Sequence, residues 1–148
     1  MTMAATKQTA EDEIRGLLDR WADATRAKDV DGILASCAQG LVAFDCHGPL
    51  RFESAGAYRK HLEACLPCMQ GPMTLEIRDL DITTQGDVGF CHYLARCGGT
   101  GPDGTEHISW FRGTSCFQRT NGTWKIVHEH LSAPFDAESG KASLGLEP

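Results

Sequence analysis

The stretch Trp110–Ser132, WFRGTSCFQRTNGTWKIVHEHLS, constrains this chain more than any other. Asn121-Gly122 between two alternating runs predicts two long strands joined by a tight turn, because that dipeptide accepts the positive φ angles such turns require. Period-two alternation then puts Trp124, Ile126, His128 and His130 on one side of the second strand, and Lys125, Val127, Glu129 and Leu131 on the other. The two histidines stand roughly 7 Å apart at about 3.4 Å per residue. With a three-residue turn and a glycine bulge, Arg112 and Thr114 join the same face. A large aromatic, a guanidinium and two imidazoles make an odd core and a fitting pocket floor. An inward arginine is costly unless it is paired or meets an anionic ligand.

The rest of the chain supplies what such a hairpin needs. Its 148 residues fit one domain with a single substantial core, and 41% hydrophobic with 23% charged residues is ordinary for a globular protein. A net charge of −6 without any Lys/Arg cluster disfavours nucleic acid and anionic membranes as partners. No apolar run approaches the roughly 20 residues that span a bilayer, and MTMAATKQTAEDE has no hydrophobic leader segment, so a cytoplasmic location is expected. Seven dispersed cysteines, an odd number, do not make a disulfide framework. Cys65-Leu66-Pro67-Cys68 has redox-motif spacing but lacks both a second pair for a zinc ribbon and the βαβ setting of a thioredoxin-like site.

The elements can be taken in order. Thr9 with Asp12 approximates a capping box, and Ile14, Leu17, Leu18, Trp21 and Thr25 then recur at helical spacing. A shorter helix starts at Asp29 or Asp31, and Leu41–Cys46 reads as a strand stopped by His47-Gly48-Pro49. Ser54 caps a third helix carrying Tyr58, Leu62 and Cys65, with His61 at its surface or rim. In Thr74–Thr84 the apolar positions switch parity, from Leu75 and Ile77 to Leu80 and Ile82, which predicts a β-bulge and a curved strand. Val88–Cys97 places Phe90, His92, Leu94 and Arg96 on one face. Gly98–Gly104 is a loop without a phosphate-binding pattern. Three helices around one strand, followed by a four-stranded antiparallel meander, indicate an α+β fold with the helices on the concave side of the sheet. The divisions expected are a tail over residues 1–9, a domain over 10–135 and a tail over 136–148, ordered where Phe135 docks.

The helix pair, the Phe44-Asp45 strand end, the Ser54-capped helix and the closing R-x-T…NG-x-W-K-I-V-H-x-H-x-S strands together resemble the NTF2-like superfamily, in its SnoaL-like, ketosteroid-isomerase-like branch. The resemblance spans about residues 10–135. It implies a cone-shaped pocket, no cofactor, and a homodimer formed through the outer face of the sheet. Aligned with ketosteroid isomerases, Asp45 falls on the general base and Trp21 on the oxyanion-stabilising tyrosine. An indole N–H donates a hydrogen bond but is no acid. Their second carboxylic acid would lie near Thr114–Cys116, where this chain has none, so steroid isomerisation by that arrangement is not expected.

The candidates are therefore Asp45, His128 and Arg112 for catalysis, with Trp21, Tyr58, His92, Trp110 and His130 as ligand contacts. Asp45 or His128 would serve as general base, and Arg112 would bind an anionic or enolising substrate. His128 and His130 alternate as in strand-borne zinc sites, but no third imidazole has a clear parity and no metal is expected. The two functional readings are a cofactor-independent isomerase, cyclase or hydratase acting on a compact, partly apolar molecule, and a non-catalytic ligand-binding or dimerisation module.

Overall fold

The computed structural model describes Thr2–Pro148. Its elements are α1 (Met3–Arg26), α2 (Val30–Ala35), β1 (Cys37–Phe44), α3 (Ala55–Cys65), a 3₁₀ turn (Leu66–Cys68), β2 (Gln70–Gln85), β3 (Val88–Thr100), β4 (Glu106–Thr120) and β5 (Thr123–Ser132). The five strands form one sheet in the order β1-β5-β4-β3-β2, antiparallel throughout except that β1 runs parallel to β5. This is the α+β arrangement expected, with the helices gathered on one curved face. Among the described residues no helix is long and apolar enough to cross a membrane.

Helix α1 departs from expectation at its start. It begins at Met3, where the Thr2 side chain caps it by accepting from the Ala5 N–H, while the Thr9 hydroxyl bonds back to the Ala5 carbonyl inside the helix. Thr9 is thus a helix-interior threonine rather than a cap. The apolar stripe is as read: Ile14, Leu17 and Leu18 are buried against the sheet. Burying an Ile or Leu side chain contributes about 2 kcal/mol. The Trp124 indole N–H donates to Glu13 at 2.8 Å, and the Arg26 Nε donates to the Leu75 carbonyl at 2.9 Å, so the helix is tied to strands at its middle and at its C-terminal end.

Of the register shifts in the sheet, two decide which side chains face inward. In β2 the register shifts between Arg78 and Asp81, with Asp79 at a φ of 55°, and Leu80 and Ile82 take over the inward positions from Leu75 and Ile77. The parity switch in the sequence marks this bulge correctly. The second bulge lies in β5. Cys116 pairs with His128 but Phe117 pairs with Ile126, leaving Val127 as the extra residue. The Asn121-Gly122 turn is the two-residue kind, with φ angles of 52° and 77° and Thr120 opposite Thr123.

The β5 bulge overturns the parity read from the sequence. Trp124 and Ile126 are buried on the inner face; beyond Val127 the inward residues are Glu129 and Leu131, and His128 and His130 turn outward. Arg112 and Thr114 do share a face with the two histidines, but it is the outer, exposed one. The inner floor is instead Cys91, Tyr93, Gly113, Ser115, Phe117 and Glu129, all buried. Gly113 is required there: a Cβ on it would lie 2.3 Å from the Tyr93 ring, which lies over it.

Candidate functional site

The site forms where β1 ends. Ala43 points inward and pairs with Glu129 of β5, so Asp45, two residues on, turns to the same interior. The chain then folds back: Ala43 and Phe52 exchange backbone hydrogen bonds of 3.0 and 2.9 Å, which returns the chain to the start of α3. Ser54 caps that helix by accepting from the Ala57 N–H at 3.0 Å. One turn in, Tyr58 is buried and directs its hydroxyl at Asp45, donating to Oδ2 at 2.9 Å. His61, one turn further, brings Nε2 to 3.8 Å from the same oxygen, with its side chain 15% and that of Asp45 14% exposed. Phe52 holds both rings in place, at centroid distances of 5.2 Å to Tyr58 and 4.7 Å to His61.

These groups surround a cavity of about 40 Å³ walled by Trp21, Asp45, Tyr58, Tyr93, Glu129 and Leu131, with exposed Phe44 and His130 at its border. That is room for a few waters or a small compact group, since one water needs about 10–15 Å³ by this measure. No lysine or arginine lines it. A larger depression, about 520 Å³, lies elsewhere, between α1, α2 and the β4–β5 turn. Three of its charged groups are engaged in structure: Asp29 caps α2, Asp23 pairs with Arg26, and the Lys125 ammonium bonds the Ala35 carbonyl.

Electrostatics act strongly on Glu129. Burial, reinforced by the charge of Asp45 and offset in part by the Tyr58 hydroxyl, pushes the Glu129 carboxyl up to about 7. Glu129 thus holds its proton to near neutrality, as two carboxyl groups sharing a dry site require. Burial also raises the Tyr58 phenol well above its usual value, followed by the charges of Glu129 and Asp45. Tyr58 is a hydrogen-bond donor here rather than a phenolate. Burial and Asp45 likewise hold the Cys46 thiol at about 12, and the same causes, burial first, hold Cys97 at about 11. Among the described residues, two buried side-chain polar atoms have no hydrogen-bond partner, the Trp21 indole Nε1 and the Ser115 hydroxyl. A buried N–H without an acceptor costs about 1–3 kcal/mol, and the Trp21 side chain that carries one stands among the cavity walls.

Of the residues singled out from the sequence, Asp45, Trp21 and Tyr58 come together here. His128, Arg112, His92 and Trp110 do not: all four sit on the outer face, and His130 reaches only the cavity border. His128 bonds the Val42 carbonyl through Nδ1 at 2.7 Å and meets Phe44 edge-on, Trp110 carries Arg78 at 5.7 Å, and exposed His92 faces Asp81 at 3.9 Å. The sequence reading does not reach Glu129 or Tyr93, and His61, expected at the helix surface or rim, stands against Asp45. The signal for Glu129 was present: apolar positions in β5 change parity from Trp124 and Ile126 to Leu131, the same switch that marks the bulge in β2.

Among the described residues, Asp45, Cys46 and His47 each place one potential metal-ligand atom within 4.8 Å of the others. They are consecutive, one Asp45 oxygen already accepts from Tyr58, and the Cys46 thiol is held protonated, so the set is a poor metal centre.

The surroundings of this cavity match known proteins in fold. A structure of an NTF2-like protein of unknown function from Pseudomonas putida KT2440 is 39% identical, with a TM-score of 0.87 over 95% of this chain and 98% of that one. A candidate scytalone dehydratase from Novosphingobium aromaticivorans superposes with a TM-score of 0.79 at 12% identity, over 87% of each chain. The association domain of a C. elegans CaMKII gives 0.67 at 15% identity, over 86% of this chain and 98% of that one. At such identities the last two share the fold alone. No curated protein matches the chain. The SnoaL-like domain model matches residues 14–136, which take in all five strands and every wall of the cavity, and the chain belongs to that family.

Proposed function

We propose that this protein is a cofactor-independent acid–base enzyme that isomerises or dehydrates a small, neutral carbonyl compound. The observation that carries the reading is the convergence of Asp45 and Glu129 on one buried cavity with the Tyr58 hydroxyl between them. Asp45 is the base: it removes a proton from the carbon beside the substrate carbonyl. Glu129 carries its proton near neutral pH and supplies it to the developing oxygen charge or to a departing hydroxyl. The unpartnered Trp21 N–H holds the carbonyl oxygen. The absence of basic side chains from the walls favours a neutral substrate over the anionic one that an inward Arg112 would have bound. The fold shared with a candidate dehydratase accords with this class.

The test is solvent-deuterium exchange of α-protons in a panel of small ketones and β-hydroxyketones, followed by proton NMR. Wild-type protein is expected to catalyse exchange or dehydration of at least one of them. Asp45→Asn and Glu129→Gln should each lower the rate by roughly 10²–10⁴-fold. Equal rates in wild type and both variants would remove the carboxyl pair from the chemistry and leave a ligand-binding module.

We also infer that two copies associate through the outer face of the sheet, as the family resemblance implies. Phe44, Val88 and Phe90, 37%, 56% and 47% exposed, support this.

A further inference from the structure

We propose that this outer face, where β4, β5 and β1 lie side by side, is the docking surface for the C-terminal arm of a second copy of the chain. The inference rests on the association of two copies but goes beyond it, because it assigns the arm as the bridging element.

The arm, residues 133–148, is a folded unit. Phe135 pairs with Ala142, Asp136 N donates to the Lys141 carbonyl at 2.8 Å, and Ser143 N donates to the Pro134 carbonyl at 2.8 Å. The Asp136 carboxylate closes the turn by accepting from Glu138 N and the Ser139 hydroxyl. These hydrogen bonds are all internal to the arm. Its large apolar side chains nevertheless face solvent, with Phe135 70%, Leu144 49% and Leu146 55% exposed. A segment held in one shape with its apolar groups outward is shaped for contact with another surface.

The face offers what the arm lacks. Its outward residues on β4 and β5 include Arg112, Thr114, His128 and His130, with Phe44 beside them on β1, and the acid of β4, Glu106, lies six residues away from Arg112 at the start of the strand. The register neighbours of Arg112 are Leu94 and Ser132, so the exposed guanidinium has no carboxylate opposite it. The outward acids Glu76 and Asp81 lie away on β2, opposite Arg96 and His92. The arm is acidic, carrying Asp136, Glu138 and Glu147 against a single Lys141. Apolar contact and charge are thus complementary. Position agrees: the arm leaves the sheet just after Ser132, the neighbour of Arg112, so a two-fold pairing that covers Arg112 brings the partner's arm to the patch.

Sedimentation equilibrium of the full chain tests this with Phe135→Ser and Arg112→Glu, both at exposed positions, with folding checked by circular dichroism. Each variant is expected to raise the dimer Kd at least tenfold. An equimolar mixture should associate more tightly than either variant alone, because a mixed pair keeps one junction in which arm and face are both wild type. Leu146→Ser provides a second arm variant. A dimer indifferent to all three substitutions would overturn arm docking while leaving the association of two copies standing. A mixture no tighter than the separate variants would overturn docking between copies, and a wild-type chain that stays monomeric would sink both inferences.

Discussion

At the scale of single residues, Tyr58 is the group on which the site turns. Its hydroxyl donates to Asp45 at 2.9 Å and also offsets part of the upward push on Glu129. Tyr58→Phe removes both effects while leaving the ring against Phe52 and His61. Asp45 then loses a buried donor, and the stability cost is expected to be about 1–3 kcal/mol, read from a urea midpoint. The Glu129 carboxyl should move further up from about 7. If Glu129 acts as the acid, wild-type kcat/KM falls as pH rises through about 7, and in Tyr58→Phe the same fall comes at higher pH. A pH–rate profile that does not move in Tyr58→Phe would separate the tyrosine from Glu129. Asp45 and Trp21 are named through the resemblance to ketosteroid isomerases and Tyr58 from the face of a Ser-capped helix, and the structure brings the three together because each lies on an element whose phase is unambiguous.

At the scale of elements, the lesson is in the bulges. A strand read by alternation carries its phase forward from wherever the reading starts, and one inserted residue exchanges the two faces beyond it. The bulge in β2 was legible because Leu80 and Ile82 lie just beyond it and announce the new phase. Beyond Val127 the residues are His128, Glu129 and His130, all polar, and only Leu131 marks the change. Polar residues around a site therefore conceal the feature that builds it. The hairpin itself was legible from Asn121-Gly122, whose φ angles of 52° and 77° few other pairs adopt without strain. The pairing of β3 with β4 contributes a second dependence that composition does not reveal. Because a Cβ on Gly113 would come within 2.3 Å of the Tyr93 ring, Gly113→Ala must move that ring. We expect a loss of about 1–3 kcal/mol and a changed near-ultraviolet circular dichroism spectrum. In a Tyr93→Leu background the same substitution should cost much less, since the clash is gone, and a double-mutant cycle measures that coupling. Full additivity would show that Gly113 is not kept small for Tyr93.

At the scale of the whole molecule, the buried Glu129 makes stability depend on pH in an unusual direction. Its carboxyl is raised in the folded protein from 4.5 to about 7, by burial and then by Asp45. Below about 4.5 the carboxyl is protonated in both states and contributes no slope. Between about 4.5 and 7 the unfolded chain releases the proton while the folded chain keeps it, so the folded state binds more protons and stability falls as pH rises. Above about 7 both states are ionised and the slope vanishes, with the loss complete. At 1.36 kcal/mol per pH unit the fall is of order 3 kcal/mol, a substantial part of the 5–15 kcal/mol available to a domain. Tyr58, Tyr93 and Cys37 also face Glu129, but burial holds each above its usual value, outside this window. Asp103 and Asp136, lowered by local hydrogen bonds, act oppositely and at lower pH. Urea unfolding at half-unit intervals from pH 5 to 8 should therefore show a midpoint that declines and then levels in the wild type. Glu129→Gln keeps the shape without the ionisation and should be the more stable protein at pH 8, with a nearly flat profile across the range. A wild-type midpoint that rises over the same interval would mean that Glu129 enters the folded state already ionised, and the acid assigned to the cavity would go with it.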